Sequence, residues 1–255
     1  MQKIFKKSLS QNFLIDQNIQ NKIINEIKIN KDDILIELGA GDGAISKSLS
    51  TFAKKTILIE IDKNLIPKLQ QNIYNDNTKI YNDDILKFDF KNIFKKYKKI
   101  RIYGNIPYKI SSKLILLLTE LKKNIKDIHL VIQKEMSDKL EKKQTSNTIS
   151  ILTEYHFKTI KIFDIKSNSF KPKPKIKSSF IKLIPTNNRH LIKYDTFKDL
   201  IKNSFKKKRK KISKSIKHIK NFQKYINVEK RAENINLKEF IRLSNLMTIT
   251  RIKKD

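Results

Sequence analysis

The sequence predicts an α/β fold, a mostly parallel, doubly wound sheet over residues 1–185, followed by a small all-α domain over residues 186–255. Three observations predict it. Short apolar runs alternate with stretches of helical periodicity as far as Pro185. Three of the four glycines in 255 residues crowd into Gly39-Ala40-Gly41-Asp42-Gly43, directly after the first such run. After Pro185-Thr186-Asn187-Asn188 the pattern turns to helices alone.

The glycine loop organises the first domain. The run Asp33-Ile34-Leu35-Ile36 reads as a buried strand, and Ala44 to Leu49 reads as a helix start. A strand, a glycine turn and a helix N-terminus form a nucleotide-cofactor site, because the backbone lies close to the ligand there. Gly39, Gly41 and Ala44 meet the spacing of a dinucleotide fingerprint. Charge decides against that reading. Glu37 and Asp42 flank the loop, and each would repel a pyrophosphate by roughly 1 kcal/mol. A cation without phosphates is favoured by the same carboxylates. S-adenosylmethionine, with its sulfonium and ammonium, fits the loop better than NAD.

The remaining elements follow in order. Residues 1–14 are basic and end in Ser10-Gln11-Asn12-Phe13-Leu14. Phe13 and Leu14 are expected to anchor this arm, with Gln11 and Asn12 near the cofactor. Ile19, Ile23, Ile24 and Ile27 lie at helical spacing behind Asp16, a candidate N-cap. Thr56 to Asp62 reads as the second strand, and Glu60 near its end is placed for ribose hydroxyls. Residues 63–73 read as a helix. Thr78 to Tyr81 reads as the third strand, followed by Asn82-Asp83-Asp84. Either Asp83 or Asp84 can accept from an adenine amino group, and spacing does not choose.

Residues 99–103 read as a fourth strand running into Gly104-Asn105-Ile106-Pro107-Tyr108. This loop is expected to carry the chemistry. The exocyclic amine of adenine or cytosine is a poor nucleophile, because its lone pair is delocalised into the ring. The side-chain oxygen of Asn105 and the carbonyl of Ile106 can both accept from such an amine and favour its pyramidal form. Pro107 offers no N–H and stiffens the loop. Tyr108 offers a ring for a base that has left its helix. Residues 111–122 then read as a helix, Asp127 to Ile132 as a fifth strand, and residues 145–156 as a helix. Ile160 to Phe163 and Ser179 to Ile184 read as an antiparallel hairpin at the sheet edge. Between them lies Phe170-Lys171-Pro172-Lys173-Pro174-Lys175, stiff, cationic and led by an aromatic, a wall for a flipped base. In the last segment Ile212, Ile216 and Ile219 form one apolar stripe behind the run Lys206 to Lys211. Phe240, Leu243 and Leu246 form another.

Composition narrows the partners. The formal net charge is +32, with +15 carried by residues 186–255 and +17 by the first 185. A chain this basic, with charge densest at one end, points to nucleic acid. There is no cysteine, so disulfides and cysteine-based zinc sites are excluded, and the four histidines show no ligand spacing. No apolar run is long enough to span a membrane, and no signal or transit peptide is visible. A cytoplasmic protein without a metal is expected.

Together these residues resemble the KsgA-type ribosomal RNA adenine dimethyltransferases over nearly the whole chain. Gln11-Asn12-Phe13-Leu14 looks like the family's N-terminal cofactor-contacting motif, and Glu37 to Gly43 its first methyltransferase motif. Gly104 to Tyr108, Gln133-Lys134-Glu135, Phe170 to Ile176 with Ser178, and Arg231-Ala232-Glu233-Asn234-Ile235 also match. The resemblance implies a Rossmann-like class I S-adenosylmethionine-dependent methyltransferase domain with a small C-terminal all-α domain. It implies dimethylation of N6 of two adjacent adenosines near the 3′ end of small-subunit (16S) rRNA, on an immature 30S particle, by a monomer. Asn12, Leu14, Gly39, Gly41, Glu60, Asp84 and Asn105 would bind the cofactor, which selects Asp84 over Asp83. Asn105, Ile106, Pro107 and Tyr108 would form the catalytic loop, with Tyr108 and Phe170 sandwiching the adenine. The related Erm enzymes, which methylate large-subunit rRNA, share the Asn-Ile-Pro-Tyr loop. Gln133 to Glu135 and Arg231 to Ile235 look like the KsgA type instead. A third reading is a non-catalytic RNA-binding assembly or transcription factor of the same fold; intact Glu60, Asp84, Asn105 and Tyr108 speak against it. Ser10, Ala40 and Lys177 depart from the family pattern, where Gly, Pro and Asp are usual.

Overall fold

The helix over residues 108–120 starts three positions after the strand over residues 100–105 ends, and this junction shows how the sheet presents its loops. A computed structural model of the chain describes residues 11–73, 75–141, 146–187, 193–206, 210–216, 219, 222–224 and 226–252. The elements are β1 (Phe13–Leu14), α1 (Gln17–Ile27), β2 (Ile34–Leu38), α2 (Ser46–Phe52), β3 (Lys55–Glu60), α3 (Ile66–Asn72), β4 (Thr78–Asn82), α4 (Phe90–Lys96), β5 (Ile100–Asn105) and α5 (Tyr108–Glu120). They continue as β6 (Ile125–Gln133), α6 (Lys134–Leu140), α7 (Thr148–His156), β7 (Phe157–Ile165), β8 (Phe170–Lys171), β9 (Ser178–Pro185), α8 (Tyr194–Lys206), α9 (Ser213–Ile216) and α10 (Leu237–Ile252).

Seven strands form one sheet in the order β4-β3-β2-β5-β6-β9-β7. The first five are parallel, and β9 runs antiparallel to β6. All five residues of β2 are buried, as expected for a central parallel strand covered on both faces. The strand order reverses between β2 and β5. Loops leaving the carboxyl ends of these two strands diverge and open a crevice. The glycine loop leaves β2 there, and the Asn105 loop leaves β5.

The chain divides into two compact units. The first is Met1–Ser137 with Thr159–Pro185; the second is Asp138–Lys158 with Thr186–Asp255. In the first unit, Leu14, Ile23, Leu35, Leu49, Tyr103 and Phe180 belong to one apolar cluster. Asp16 caps α1, its Oδ1 accepting from the N–H of Asn18 at 3.1 Å and of Ile19 at 3.2 Å. Helix α4 has no counterpart among the elements expected from sequence. Its signals are Asp89, whose Oδ1 accepts from Lys91 N–H at 3.0 Å, and the buried trio Phe90, Ile93 and Phe94. Near the start of β5, Arg101 is buried in an ion network. Its guanidinium donates to both oxygens of Asp127 at 2.9 Å, to Asp33 at 3.1 Å and to the Lys28 carbonyl at 2.8 Å.

The second unit is helical. Asn147 and Ser150 form a capping box at the start of α7. Phe197, Leu200, Ile201 and Ser204 of α8 are buried at helical spacing, as are Phe240 and Leu243 of α10. Tyr155 packs on Phe197 with ring centroids 4.8 Å apart, and Phe205 on Phe240 at 6.0 Å. The expected stripe Ile212, Ile216 and Ile219 is buried. Helix α9 is a single turn, and of the basic run Lys206, Lys210 and Lys211 are described while residues 207–209 lie outside the described residues.

Candidate active site

The crevice holds a cavity of about 300 Å³, lined from the N-terminal arm, the glycine loop and the ends of β3, β4 and β5. Its glycine loop is built as the sequence predicts. Gly41 sits at φ +60°, in the left-handed region. That turn aims its N–H at Glu60 Oε2, 2.8 Å away, and a side chain there would meet the Phe13 ring at 3.3 Å. Glu60 Oε1 accepts from the N–H of Asp62 at 2.8 Å. The Glu60 carboxylate is thereby fixed in orientation at the carboxyl end of β3. Burial raises its pKa, opposed by these N–H donors.

Asp84 lines the cavity, and Asp83 is exposed and does not. The Asp84 Oδ1 accepts from Leu86 N–H at 2.9 Å, which holds the carboxylate at the end of β4. Ile61 and Ile85 line the cavity next to these acids. Among the described residues its wall thus carries four acidic side chains (Glu37, Asp42, Glu60, Asp84) against a single lysine, Lys109. In a chain of net charge +32 this is a local reversal of sign. Asp42 also pairs with Lys68 at 3.2 Å. Glu37 is 3% exposed and accepts from Ser46 Oγ at 2.6 Å. Burial, with Glu60 and Asp42 nearby, pushes its pKa up to about 8 against the Ser46 bond.

The arm is held by pairing that two residues of sequence do not announce. Phe13 and Leu14 pair antiparallel with Lys171 and Phe170. Beside them Ile15 N–H donates to the Ser169 carbonyl at 2.9 Å, and Ser169 Oγ to Asp16 at 2.9 Å. This brings Asn12 against the Asn105 loop, where the Asn105 Nδ2 donates to the Asn12 carbonyl at 2.9 Å. Ser10, one of the departures from the family pattern, lies outside the described residues. Gly104 is required by close approach, since a Cβ there would stand 3.0 Å from the Leu38 carbonyl and 2.5 Å from Ile106. The side chain of Ile106 is buried, and Pro107 precedes the first turn of α5. Tyr108 is partly buried, its hydroxyl 2.6 Å from Ser178 Oγ. Burial raises its phenol pKa.

The structure therefore brings Asn12, Leu14, Gly39, Gly41, Glu60, Asp84, Asn105 and Pro107 to one cavity. Ile106 and Tyr108 adjoin it in the same loop. Phe170 is placed differently. Its side chain is 4% exposed and belongs to the apolar cluster with Leu14, Tyr103 and Phe180, outside the cavity wall. Stacking a base on Phe170 requires its ring to leave that packing. The cavity also holds a residue that looks like plain strand core in the sequence. Tyr103 lines it two positions before Asn105, on the same face of β5. Among the described residues, no group of three or more His, Cys, Asp or Glu is placed to hold a metal ion.

Comparison with known proteins agrees with this geometry. Residues 2–249 match the family model described as ribosomal RNA adenine dimethylase. A ribosomal RNA small subunit methyltransferase A from Francisella tularensis is 34% identical over 255 residues, covering 95% of this chain and 97% of the relative. The crystal structure of a dimethyladenosine transferase from Plasmodium falciparum superposes with a TM-score of 0.76 at 26% identity, covering 94% of this chain and 98% of that one. The 23S rRNA methyltransferase ErmE shares the fold, with a TM-score of 0.74 at 19% identity over 92% of this chain and 99% of its own. By its family match and its cavity alike, the chain belongs to the ribosomal RNA adenine dimethylase family.

Proposed function

We propose that this protein uses S-adenosylmethionine to dimethylate N6 of two adjacent adenosines near the 3′ end of small-subunit rRNA during ribosome assembly. The observation that carries the reading is the carboxylate-lined cavity between the glycine loop and the Asn105 loop in an otherwise strongly basic chain. The cavity suits a cationic nucleoside. Glu60 is oriented to accept from ribose hydroxyls, Asp84 to accept from an adenine amino group, and Ile61 and Ile85 offer apolar walls to the purine. When bound, the cofactor supplies an electrophilic methyl on a sulfonium, which is a good leaving group.

The chain's own residues then need only position the amine. Because the Asn12 carbonyl takes the Asn105 Nδ2 proton, the Asn105 oxygen is turned the other way and is left to accept from the target N6 amine. The Ile106 carbonyl supplies a second acceptor. Two acceptors at one amine pull its hydrogens out of the ring plane and free the lone pair for attack. Tyr108, held by Ser178, stacks on the base, with Phe170 closing the far side after rearrangement. The second methyl requires the monomethylated amine to turn and present its remaining hydrogen. The first unit serves as the catalytic domain, and the second, which adds residues 138–158 to the expected 186–255, as the RNA-binding domain. The protein acts in the cytoplasm as a monomer on an immature 30S particle. No helix among the described residues is long and apolar enough to cross a membrane.

The test is transfer of labelled methyl from S-adenosylmethionine to unmethylated small subunits, with large-subunit RNA in parallel, followed by nuclease digestion. Dimethyladenosine on the small subunit alone is the expected outcome. Label on large-subunit RNA would move the chain to the Erm reading, and no label on either, with RNA still bound, to the non-catalytic one.

A further inference from the structure

The two ends of the parallel strands carry opposite charge. The connections that leave their carboxyl ends run over residues 39–45, 61–65, 83–89 and 106–107. They hold two lysines, Lys63 and Lys87, against five acids, Asp42, Asp62, Asp83, Asp84 and Asp89. The connections that enter the amino ends run over residues 28–33, 53–54, 73–77, 97–99 and 121–124. There Lys28 and Lys31 precede β2, and Lys54 precedes β3. Lys98 and Lys99 precede β5, and Lys122 and Lys123 precede β6. Three acids stand among them, Asp32, Asp33 and Asp76, and Asp33 is buried and paired with Arg101 and Lys126. A lysine-rich composition alone would load both ends alike, so the difference belongs to the fold.

Strand register sets these lysines side by side. Ile34 pairs with Lys55, Leu35 with Arg101, and Ile100 with Ile125. The amino ends of β3, β2, β5 and β6 are therefore level neighbours, three steps of roughly 5 Å across. Lys31, Lys54, Lys98, Lys99 and Lys123 are exposed and make no ion pair among the described residues. Burial and the charge of Lys123 push the Lys122 pKa down. Lys28 and Lys99 keep their charge at φ +52° and +55°, a conformation that favours glycine or asparagine. Helices α1, α2, α4 and α5 end at this edge, and a helix C-terminus attracts a cation. That accounts for one lysine after each helix and leaves Lys31, Lys99 and Lys123 with no reason inside the chain.

A level row of exposed cations fits a phosphate backbone, whose charges recur at regular spacing. Lysine ammoniums are point charges without a fixed fork, suited to backbone contact and not to reading bases. The cavity opens at the other end of strands five or six residues long, roughly 17–20 Å away. Phosphates met at this edge therefore belong to a different RNA segment from the one that feeds a base into the cavity. We propose that the amino-end edge of the sheet, centred on Lys31, Lys54, Lys98, Lys99 and Lys123, is a second RNA-binding surface that grips the backbone of a double-helical segment remote from the target adenosines. This rests on the small-subunit reading. It gives the protein a reason to bind a folded particle more tightly than a short RNA, since A-form duplex is recognised through its shape and backbone.

The test compares wild-type protein with the variant Lys31→Gln/Lys54→Gln/Lys98→Gln/Lys123→Gln. Binding is measured over a range of salt, to unmethylated small subunits and to a short hairpin carrying the target adenosines. On small subunits the variant should bind about tenfold more weakly, and the slope of log affinity against log salt should fall by about 3. Its binding to the hairpin and to S-adenosylhomocysteine should match wild type, as should its melting temperature. In wild-type protein bound to small subunits these lysines should be shielded from acetylation, read by mass spectrometry, and stay reactive with the hairpin. Equal weakening on both RNAs reports net charge alone and overturns the proposal. An unchanged slope overturns it too, and if affinity falls all the same, the partner at this edge is a protein surface and not phosphate. Failure of the wild-type protein to bind small subunits overturns the small-subunit reading before any lysine is changed, and this proposal with it.

Discussion

Asn105 is defined by what its nitrogen is already doing. With Nδ2 committed to the Asn12 carbonyl, the side chain keeps one free acceptor, and the chemistry asked of it is acceptance. Asn105→Ala should lower methyl transfer by about 10²- to 10³-fold while RNA binding in a filter assay stays near wild type; equal loss of both would remove the assigned role. Glu37 makes a pH-dependent prediction. Its folded pKa of about 8 lies above the ordinary value of 4.5, with burial the main cause. The folded chain therefore holds a proton that the unfolded chain has released. Stability from this group is present below the unfolded value and is lost as pH rises through the folded one. The groups facing it are Ser46, Tyr103, Glu60 and Asp42. Thermal melts of the ligand-free protein should fall between about pH 4.5 and about pH 8, with a flatter slope in Glu37→Gln. Affinity for S-adenosylhomocysteine should rise over the same range, since a cation favours the ionised carboxylate. Tyr103 is not legible in the sequence as a cavity residue, because a tyrosine in an apolar strand looks the same whether or not its side chain borders a cavity. Phe170 shows the converse. An aromatic ahead of a Pro-Lys repeat suggests an open stacking surface, and only the pairing of Leu14 with Phe170 reveals that the ring is packed away.

At the scale of elements, legibility in the sequence depends on length. Strands β2, β3, β5 and β6 are five to nine residues long and rich in β-branched and other apolar residues, and are readable as such. The pairing of β1 with β8 involves two residues on each side, too few for any periodicity, although it sets the arm over the cavity. Helix α4 is readable in principle from Asp89 and the spacing of Phe90, Ile93 and Phe94, but its lysines dilute the apolar stripe. The Arg101 network is an arrangement no pattern predicts, since its two acids lie on separate segments 68 and 26 residues away. Both carboxylates and the guanidinium are nearly sealed from solvent. Arg101→Ala should destabilise the first unit by about 3–5 kcal/mol, because it strands two buried charges; a melt shifted by roughly 10 °C is the expected readout. Lys126→Ala removes an exposed partner of Asp33 and should cost under about 1 kcal/mol. Similar losses from the two variants would show that Arg101 is not the centre of the network.

At the scale of the whole molecule, two charges of opposite sense are kept apart. The chain as a whole is cationic, and the cofactor cavity is acidic. Replacing Lys206, Lys210 and Lys211 with alanine should weaken RNA binding and reduce the slope of log affinity against log salt by roughly 0.7–0.9 for each phosphate left without its lysine. Lys211 already pairs with Glu229, so the contribution of Lys210 is expected to exceed that of Lys211. An unchanged slope would mean these lysines do not touch phosphate. The join between β1 and β8 carries a different consequence, one of timing. Asp16 and Ser169 are 153 residues apart in sequence and bonded in the fold. Pairings so distant form late, because the loop they close must first be ordered. During synthesis the glycine loop and the Asn105 loop emerge well before Ser169 and Phe170 leave the ribosome. Until then the arm has no strand to pair with, and the cavity lacks one wall. A nascent chain of this protein thus becomes able to hold its methyl donor only after most of the first unit has been translated.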